Sequence, residues 1–297
     1  MQHRDQVFHL AVTRDGDKII SSDVEGSVNV WDVELHELVK EWTHPGKRPR
    51  IAVSPDNRLL AVGLRVVFIY TMEEGWRVIQ SIKVDNGILS MSFSPDSGKL
   101  ACGTYHDDIR VYDIGNGTLV LGPLTGHQNY IESLLWSGDG SRLFSGSWNM
   151  IRCWDSYTGQ PIGQPWNGHT HWTPSLSLSP DGAILASASG DQTVRFWDTA
   201  TGDPIGQPLR HGYDVNTVSF SPCGQFLASA RWDGKIYVWR IPRLDTVESR
   251  VTILIICPAA LLLTTLVYTP GCPQPPAFHS TSPYPTTSTL LHAHPQR

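Results

Sequence analysis

The sequence has few charged residues, few cysteines and no excess of basic residues. Charged residues make up 17% of the 297 residues, and acidic residues outnumber basic ones by 28 to 23, which disfavours a general nucleic-acid-binding protein. Five cysteines are too sparse, and odd in number, for a disulfide-stabilised miniprotein. The 40% hydrophobic content and the 11 tryptophans exclude disorder along the whole chain. We therefore expect a folded domain with a sizeable core.

The first residues, MQHRDQVFHLAV, contain no apolar stretch of the length that a signal peptide needs. The scattered cysteines are consistent with a reducing compartment. We expect a cytoplasmic protein, with membrane association or a nuclear location as alternatives.

The composition changes abruptly near residue 250. All 28 acidic residues and 22 of the 23 basic ones lie in 1–250, whereas 269–297 is rich in Pro, Ser and Thr. We expect a folded domain over 1–250 and a disordered tail over 269–297. The 18 residues of 251–268 are uncharged and mostly apolar. Three interpretations stay open for them: an outer strand of the folded domain, a membrane anchor, or an end of the chain that is truncated or not part of the natural protein.

Three markers repeat along residues 3–240 with nearly the same period. An aromatic residue recurs every 39 to 43 residues, a turn of the SPDG type begins at residues 13, 54, 94, 137, 179 and 221, and a histidine recurs in five copies. The aromatic residues are Trp31, Tyr70, Tyr112, Trp154, Trp197 and Trp239, and the histidines are His3, His44, His127, His169 and His211. Three markers in phase over six copies indicate a true internal repeat.

Each copy predicts four short strands. In residues 174–198, apolar and polar residues alternate on both sides of the SPDG turn, as they do in half-buried strands. A single four-stranded blade cannot cover its own faces, so the copies must stack, and radial stacking gives a propeller. We predict an all-β fold, a β-propeller of four-stranded antiparallel blades. The six repeats make either six blades or an incomplete seven-bladed ring.

The order of Gly-His, SPDG, a Leu-Ala-Ser strand, a hairpin Asp and Trp-Asp resembles the WD-repeat β-propeller family over residues 3–240. The resemblance implies a buried, hydrogen-bonded tetrad of side chains that fixes each blade. Two copies contain all four residues: His169, Ser187, Asp191 and Trp197 in the fifth, and His211, Ser229, Asp233 and Trp239 in the sixth. Glu25, His106 and Asn149 depart from the hairpin Asp in other copies. The connectors TGQPIGQPWNGH and TGDPIGQPLRHG also resemble those of WD-repeat regions in fungal NACHT-type signalling proteins.

No arrangement typical of a catalytic or metal site stands out. The histidines outside the repeat, such as His9, His106 and His171, have neither metal-ligand spacing nor a partner pair of cysteines. The sequence contains no Gly-rich phosphate loop. We therefore expect no enzymatic activity, no metal and no cofactor.

The family resemblance also implies which residues the narrow top face of the propeller displays. These are the residue before the hairpin Asp and the residues three and five after the repeat His. They include five aromatic residues that the repeat itself does not need: Tyr105, Tyr130, Trp148, Trp172 and Trp232. Trp and Tyr are enriched among the residues that dominate binding energy at protein interfaces. Lys47 and Arg48 add a basic corner, interpreted either as a solvated loop or as a dock for an acidic peptide or a phosphate.

We predict a non-enzymatic scaffold that binds proteins or peptides through this aromatic face. One alternative is a membrane-tethered adaptor anchored by 251–268. Another is a chromatin or nucleic-acid reader, which the acidic charge balance opposes, so that we expect no nucleic-acid partner. The fold alone does not name the partner.

Overall fold

The computed structural model describes residues 5–73 and 75–241 in full and residues 253–256 through their backbone. These residues form 24 strands and contain no helix. The strands build six antiparallel sheets of four strands each, in sequence order within every sheet. The sheets are the blades of a six-bladed β-propeller, so the predicted all-β architecture of four-stranded blades is confirmed.

Each blade is a meander of four strands, which we call a, b, c and d in chain order. The first three blades comprise β1 (Val7–Val12), β2 (Lys18–Asp23), β3 (Ser27–Asp32), β4 (Leu38–Thr43), β5 (Arg50–Val53), β6 (Leu59–Gly63), β7 (Val66–Thr71), β8 (Val78–Lys83), β9 (Ile88–Phe93), β10 (Lys99–Thr104), β11 (Ile109–Asp113) and β12 (Leu119–Leu124). The last three comprise β13 (Ser133–Trp136), β14 (Arg142–Gly146), β15 (Met150–Asp155), β16 (Pro161–Asn167), β17 (Ser175–Leu178), β18 (Ile184–Ala188), β19 (Thr193–Asp198), β20 (Pro204–Arg210), β21 (Val215–Phe220), β22 (Phe226–Arg231), β23 (Ile236–Arg240) and β24 (Ile253–Ile256).

The SPDG-type turn closes the connection between strands a and b through its own side chains. In blade 5, the Ser179 hydroxyl donates to Asp181 at 2.5 Å and accepts the Ile184 N–H at 2.9 Å. The Asp181 carboxylate accepts the Ala183 N–H at 3.0 Å, and Gly182 takes a left-handed φ of 72°. Because these hydrogen bonds are local, the tetrapeptide alone predicts the turn.

The apolar core consists of layers between the faces of successive blades. Between blades 4 and 5, Phe144 and Trp166 pack with Leu185 and Trp197, and Trp154 joins the layer between blades 3 and 4. Trp154 and Trp197 are each only 1% exposed. The tryptophans that mark the repeat are therefore core residues.

The loops of each blade lie at two opposite ends. Because neighbouring strands are antiparallel, every b–c hairpin and every d–a loop lies at one end, which we call the top face. The a–b turns and the c–d connectors lie at the opposite end. The top face therefore collects loops from all six blades around one opening.

Strand d of the last blade is contributed from beyond residue 250. The backbone of β24 pairs antiparallel with β23, with Ile256 opposite Ile236. The rest of 251–268, the tail 269–297 and the repeat residue His3 lie outside the described residues. Within the described ranges, no helix has the length and hydrophobicity to cross a bilayer. The membrane-anchor and truncation interpretations of 251–268 stay predictions.

Candidate functional site

A buried hydrogen-bond network fixes the top of blade 5. The His169 ring bonds to Asp191 through Nδ1 at 2.8 Å and to the Ser187 hydroxyl through Nε2 at 2.7 Å. The Trp197 Nε1–H donates to the same hydroxyl at 2.8 Å, and Asp191 also accepts the Thr170 N–H at 3.1 Å. Burial alone raises the pKa of Asp191, but the hydrogen bond and charge of His169 outweigh it and hold the pKa below its ordinary value. The network therefore anchors the d–a loop that carries Trp172.

The corresponding residues of blade 6 are arranged differently. Trp239 Nε1–H donates to the Ser229 hydroxyl at 2.8 Å, and that hydroxyl lies 3.4 Å from His211 Nε2. Asp233, however, pairs with Arg231, and the buried Nδ1 of His211 has no hydrogen-bond partner in the part of the chain that the structure describes. Burial, and then the charge of Arg231, lower the pKa of His211 to about 4. The expected blade 6 tetrad is therefore reduced to three residues.

The physical cause is the residue two positions before the hairpin Asp. Blade 5 has the small Ser189 there, whereas blade 6 has Arg231. The Arg231 guanidinium lies 5.0 Å from the ring centre of Tyr213 and 5.2 Å from that of Tyr237. It is held there by both aromatic rings, and its charge attracts the Asp233 carboxylate away from the histidine.

Blades 3 and 4 also depart from the full tetrad. In blade 4, His127 bonds to the Ser145 hydroxyl at 2.6 Å, but no described residue offers a hydrogen-bond partner to its Nδ1. Burial, and then the charge of Arg152, lower the pKa of His127 to about 3. In blade 3, His106 occupies the position of the hairpin Asp. The buried carboxylate of this hairpin belongs to Asp108, which accepts a 2.5 Å hydrogen bond from the Thr104 hydroxyl.

The top face carries a continuous row of aromatic rings across blades 4, 5 and 6. We call Trp148, His171, Trp172 and Trp232 the aromatic ladder. Ring centres are 4.7 Å apart for Trp148 and His171, 5.8 Å for His171 and Trp172, and 6.1 Å for Trp172 and Trp232. The last pair is stacked, with 10° between the ring planes. Trp148 and Trp232 are 45% and 58% exposed, whereas Trp172 is half-buried.

Gly190 makes room for the centre of this ladder. It occupies the position before the hairpin Asp of blade 5, where blade 6 has Trp232 and blade 3 an aromatic as well. A Cβ on Gly190 would lie 1.6 Å from Trp172 Nε1 and 2.5 Å from His171 Nδ1. Those two buried nitrogens have no hydrogen-bond partner among the described residues. Sequence reasoning named Trp172 but missed the dependence of its position on a neighbouring glycine.

The remaining predicted aromatics form a second pair on the same face. Tyr105 and Tyr130 lie edge to face, with ring centres 5.7 Å apart, and both are exposed. The Ser147 hydroxyl donates to the Asn129 carbonyl at 3.0 Å, which joins the loop of Tyr130 to the hairpin of Trp148. The five predicted aromatics thus lie along one continuous part of the rim.

The predicted basic corner lies beyond this pair, on blades 1 and 2. Lys47 Nζ is 2.7 Å from the Glu25 carboxylate, so its charge is neutralised locally. The guanidinium groups of Arg48 and Arg50 lie 5.7 and 4.6 Å from the ring centre of Phe8. In the part of the chain that the structure describes, no three His, Cys, Asp or Glu side chains are grouped so as to hold a metal ion. The side chains that the predicted rim positions present are aromatic rings and cationic groups.

Comparison with known proteins gives a consistent family assignment. The family described as "WD domain, G-beta repeat" matches residues 1–32, 76–113, 119–155, 159–198 and 202–240. The chain is similar to the WD repeat-containing protein SL1-17 of Schistosoma mansoni, with 29% identity over 49% of this chain and 48% of the relative. It is also similar to the small ribosomal subunit protein RACK1y of Oryza sativa subsp. japonica, with 32% identity over 46% and 43%.

A third relative is the echinoderm microtubule-associated protein-like 4 of Mus musculus, which is 30% identical over 52% of this chain and 16% of the relative. The chain thus spans about half the length, or less, of these curated relatives. The resemblance of the connectors to fungal NACHT-type proteins stays a prediction. The five matched segments make up more than half of the chain. The protein therefore belongs to the WD-repeat family of β-propellers.

Proposed function

We propose that this protein is a non-enzymatic interaction module that binds a segment of a partner protein on the aromatic ladder. Proteins of the WD-repeat family generally act as interaction scaffolds. The observation that carries the proposal is the mutual contact of Trp148, His171, Trp172 and Trp232 on the exposed top face. Singly exposed apolar side chains are ordinary, but a contiguous exposed aromatic surface is typical of a binding site.

The exposed indoles have enough free surface to support tight binding. Trp232 is 58% exposed although it stacks on Trp172. If a partner buried about 100 Å² of that indole, the gain would be about 2.5 kcal/mol. Stacking on Trp172 also fixes the conformation of the Trp232 side chain, so little rotamer entropy is lost on binding.

The ladder is rigid because blade 5 supports it from below. The d–a loop carrying His171 and Trp172 is held by the hydrogen bonds of His169 and Asp191. The Trp172 carbonyl accepts the Gly190 N–H at 3.0 Å, which joins the loop to the b–c hairpin. A rigid, partly stacked aromatic surface is the arrangement that interface hot spots favour.

Affinity capture with the purified full chain as bait tests the proposal. Trp148→Ala and Trp232→Ala should each weaken capture of the same partner at least tenfold without lowering the melting temperature, because both side chains are exposed. Tyr157→Ala is the matched control, since Tyr157 is 71% exposed and lies in a c–d connector at the opposite end. Capture that is equal for all three variants would reject the ladder as the binding surface.

A further inference from the structure

Three arginines lie in or next to the top-face loops of blade 2, at the other side of the top face. We call Arg48, Arg50 and Arg65 the arginine cluster. The guanidinium groups of Arg48 and Arg50 lie 5.7 and 4.6 Å from the centre of the Phe8 ring, which belongs to the neighbouring blade 1. Arg65, in the b–c hairpin of blade 2, was not singled out by sequence reasoning, since nothing in the repeat marks that position.

Tyr105 lies near two members of the cluster, Arg50 and Arg65. Burial lowers the pKa of the Arg50 guanidinium, and the nearby Tyr105 and Glu132 act in the opposite direction. A Cβ on Gly87 would lie 3.3 Å from the Tyr105 ring and 3.7 Å from Arg65 Cγ, so both side chains flank the same glycine. They line an open cavity of about 300 Å³ together with Leu64, Asn86, Gly87 and His106.

The charges of the cluster are not neutralised by ion pairs. Among the described residues, no carboxylate lies within 4.0 Å of Arg48, Arg50 or Arg65. Within the described ranges, the buried Nε–H of Arg50 has no hydrogen-bond acceptor. Glu132 is the nearby acid; burial raises its pKa, and the charge of Arg50 opposes this with a smaller effect.

Two other arginines of the top face, Arg110 and Arg231, are each paired with a carboxylate. Arg110 is held by Asp108 through two 3.1 Å hydrogen bonds, and Arg231 is held by Asp233. Both pairs consist of residues two positions apart on a b–c hairpin. Among the residues that the structure describes, the arginine cluster has no such paired acid, which leaves the exposed residues Arg48 and Arg65 available to an external anion.

We propose that the arginine cluster binds a phosphorylated side chain of the same protein segment that contacts the aromatic ladder. The inference rests on the proposed function, because it names the chemistry of that partner. A phosphate ester offers three strong acceptor oxygens and a charge near −2 at neutral pH, which suits several guanidinium groups at once. The Tyr105–Tyr130 pair lies between the cluster and Trp148 and provides the connecting surface.

A peptide fits this surface better than a nucleic acid does. The chain as a whole carries a formal charge of −5, and the unpaired arginines of the cluster lie on one side of the opening only. A polyanion gains affinity by contacting many cations along its length. A peptide with a single phosphate next to apolar residues matches a surface on which a few cations lie beside aromatic rings.

Binding to peptide libraries tests the inference on the full chain. The probes are three libraries with a fixed central phosphoserine, phosphothreonine or phosphotyrosine and degenerate flanks, with the unphosphorylated libraries in parallel. We expect selected phosphopeptides to bind at least tenfold more tightly than their unphosphorylated forms. A lack of that preference, or stronger binding of a 20-nucleotide DNA probe than of any phosphopeptide, would overturn the inference.

Arginine and tryptophan variants separate this inference from the proposed function. Arg48→Gln and Arg65→Gln should each weaken binding of the phosphopeptide at least fivefold and leave its unphosphorylated form unaffected. Arg77→Gln, at an exposed arginine of the c–d connector of blade 2, should change neither. If the arginine variants bind normally while Trp232→Ala loses binding, the phosphate site is rejected and the ladder stands. If only the arginine variants lose binding, the phosphate site stands and the ladder is rejected.

Discussion

Replacement of Asp191 by alanine removes the acceptor at the centre of the blade 5 network. Its carboxylate accepts hydrogen bonds from His169 Nδ1 at 2.8 Å, from the Thr170 N–H at 3.1 Å, and from the Thr193 N–H and hydroxyl at 3.0 and 2.6 Å. The His169 side chain is 1% exposed, so no solvent replaces the lost partner. The variant therefore leaves His169 Nδ1 with only the Thr193 hydroxyl, 3.4 Å away, and removes the carboxylate that anchors both the d–a loop and the b–c hairpin.

The size of the effect follows from these contacts. An unsatisfied buried donor costs about 1–3 kcal/mol, and each partly exposed hydrogen bond contributes about 0.5–1.5 kcal/mol. We expect Asp191→Ala to lower the free energy of unfolding by about 2–4 kcal/mol. For a folded domain of this size, that corresponds to a fall in melting temperature of roughly 5–15 °C.

Urea unfolding and calorimetry at pH 7 measure the change against two controls. Asp203→Ala removes an exposed carboxylate from the c–d connector of the same blade and should have no effect. Asp233→Ala should destabilise less than Asp191→Ala, because Asp233 holds Arg231 rather than His211. Because the pKa of Asp191 is lowered by folding, its contribution is present above pH 4 and is lost as the pH falls below that value. Equal stabilities of the three variants would refute the network as the anchor of the loop.

Three further predictions concern the core, the ladder and acid stability. Trp197→Ala should lower the free energy of unfolding by about 3–5 kcal/mol in urea titrations, because the indole is buried between two blades. Gly190→Ala should displace Trp172 and shift the tryptophan fluorescence with little loss of secondary structure; an unchanged spectrum would contradict the close packing at this glycine. Folding lowers the pKa of His127 to about 3 and that of His211 to about 4, so the unfolded chain binds more protons below pH 6.5. Stability measured by urea unfolding should therefore decrease from pH 6.5 towards pH 4, by at most about 1.4 kcal/mol per pH unit for each histidine, and a flat profile would contradict this account.

The architecture was predictable because its determinants are local or periodic. The SPDG-type turns are closed by their own serine and aspartate side chains, and the repeat tryptophans Trp154 and Trp197 recur with the period of one blade. Once these signals fix four strands per repeat, packing of the blade faces requires a propeller. The aromatic rim positions came from the resemblance to the WD-repeat family, applied to each copy in this register.

The pairing of individual side chains was less predictable, because it depends on residues that the repeat does not specify. Asp191 and Asp233 occupy the same register position, yet only Asp191 reaches its histidine, since Arg231 competes for the other carboxylate. His106 occupies the hairpin Asp position of blade 3, and the buried carboxylate lies two residues later, at Asp108.

Contacts between loops of different blades were missing altogether from the sequence interpretation. The basic corner was assigned to Lys47 and Arg48, but Glu25 of the preceding hairpin neutralises Lys47. Arg65 lies beside the same glycine as Tyr105 of the next blade, a contact that the sequence does not indicate. These contacts between loops depend on how neighbouring blades stack, and no local sequence pattern indicates them.

Site-specific photo-cross-linking tests the central claim, binding on the aromatic ladder, most directly. p-Benzoylphenylalanine in place of Trp232 puts the reactive group on the ladder, and the same residue in place of Tyr157 puts it at the opposite end of the propeller. After irradiation with the captured partner, we predict an adduct at position 232 that unlabelled wild-type chain suppresses, and no adduct at position 157. An adduct at position 157 with none at position 232 would contradict the account.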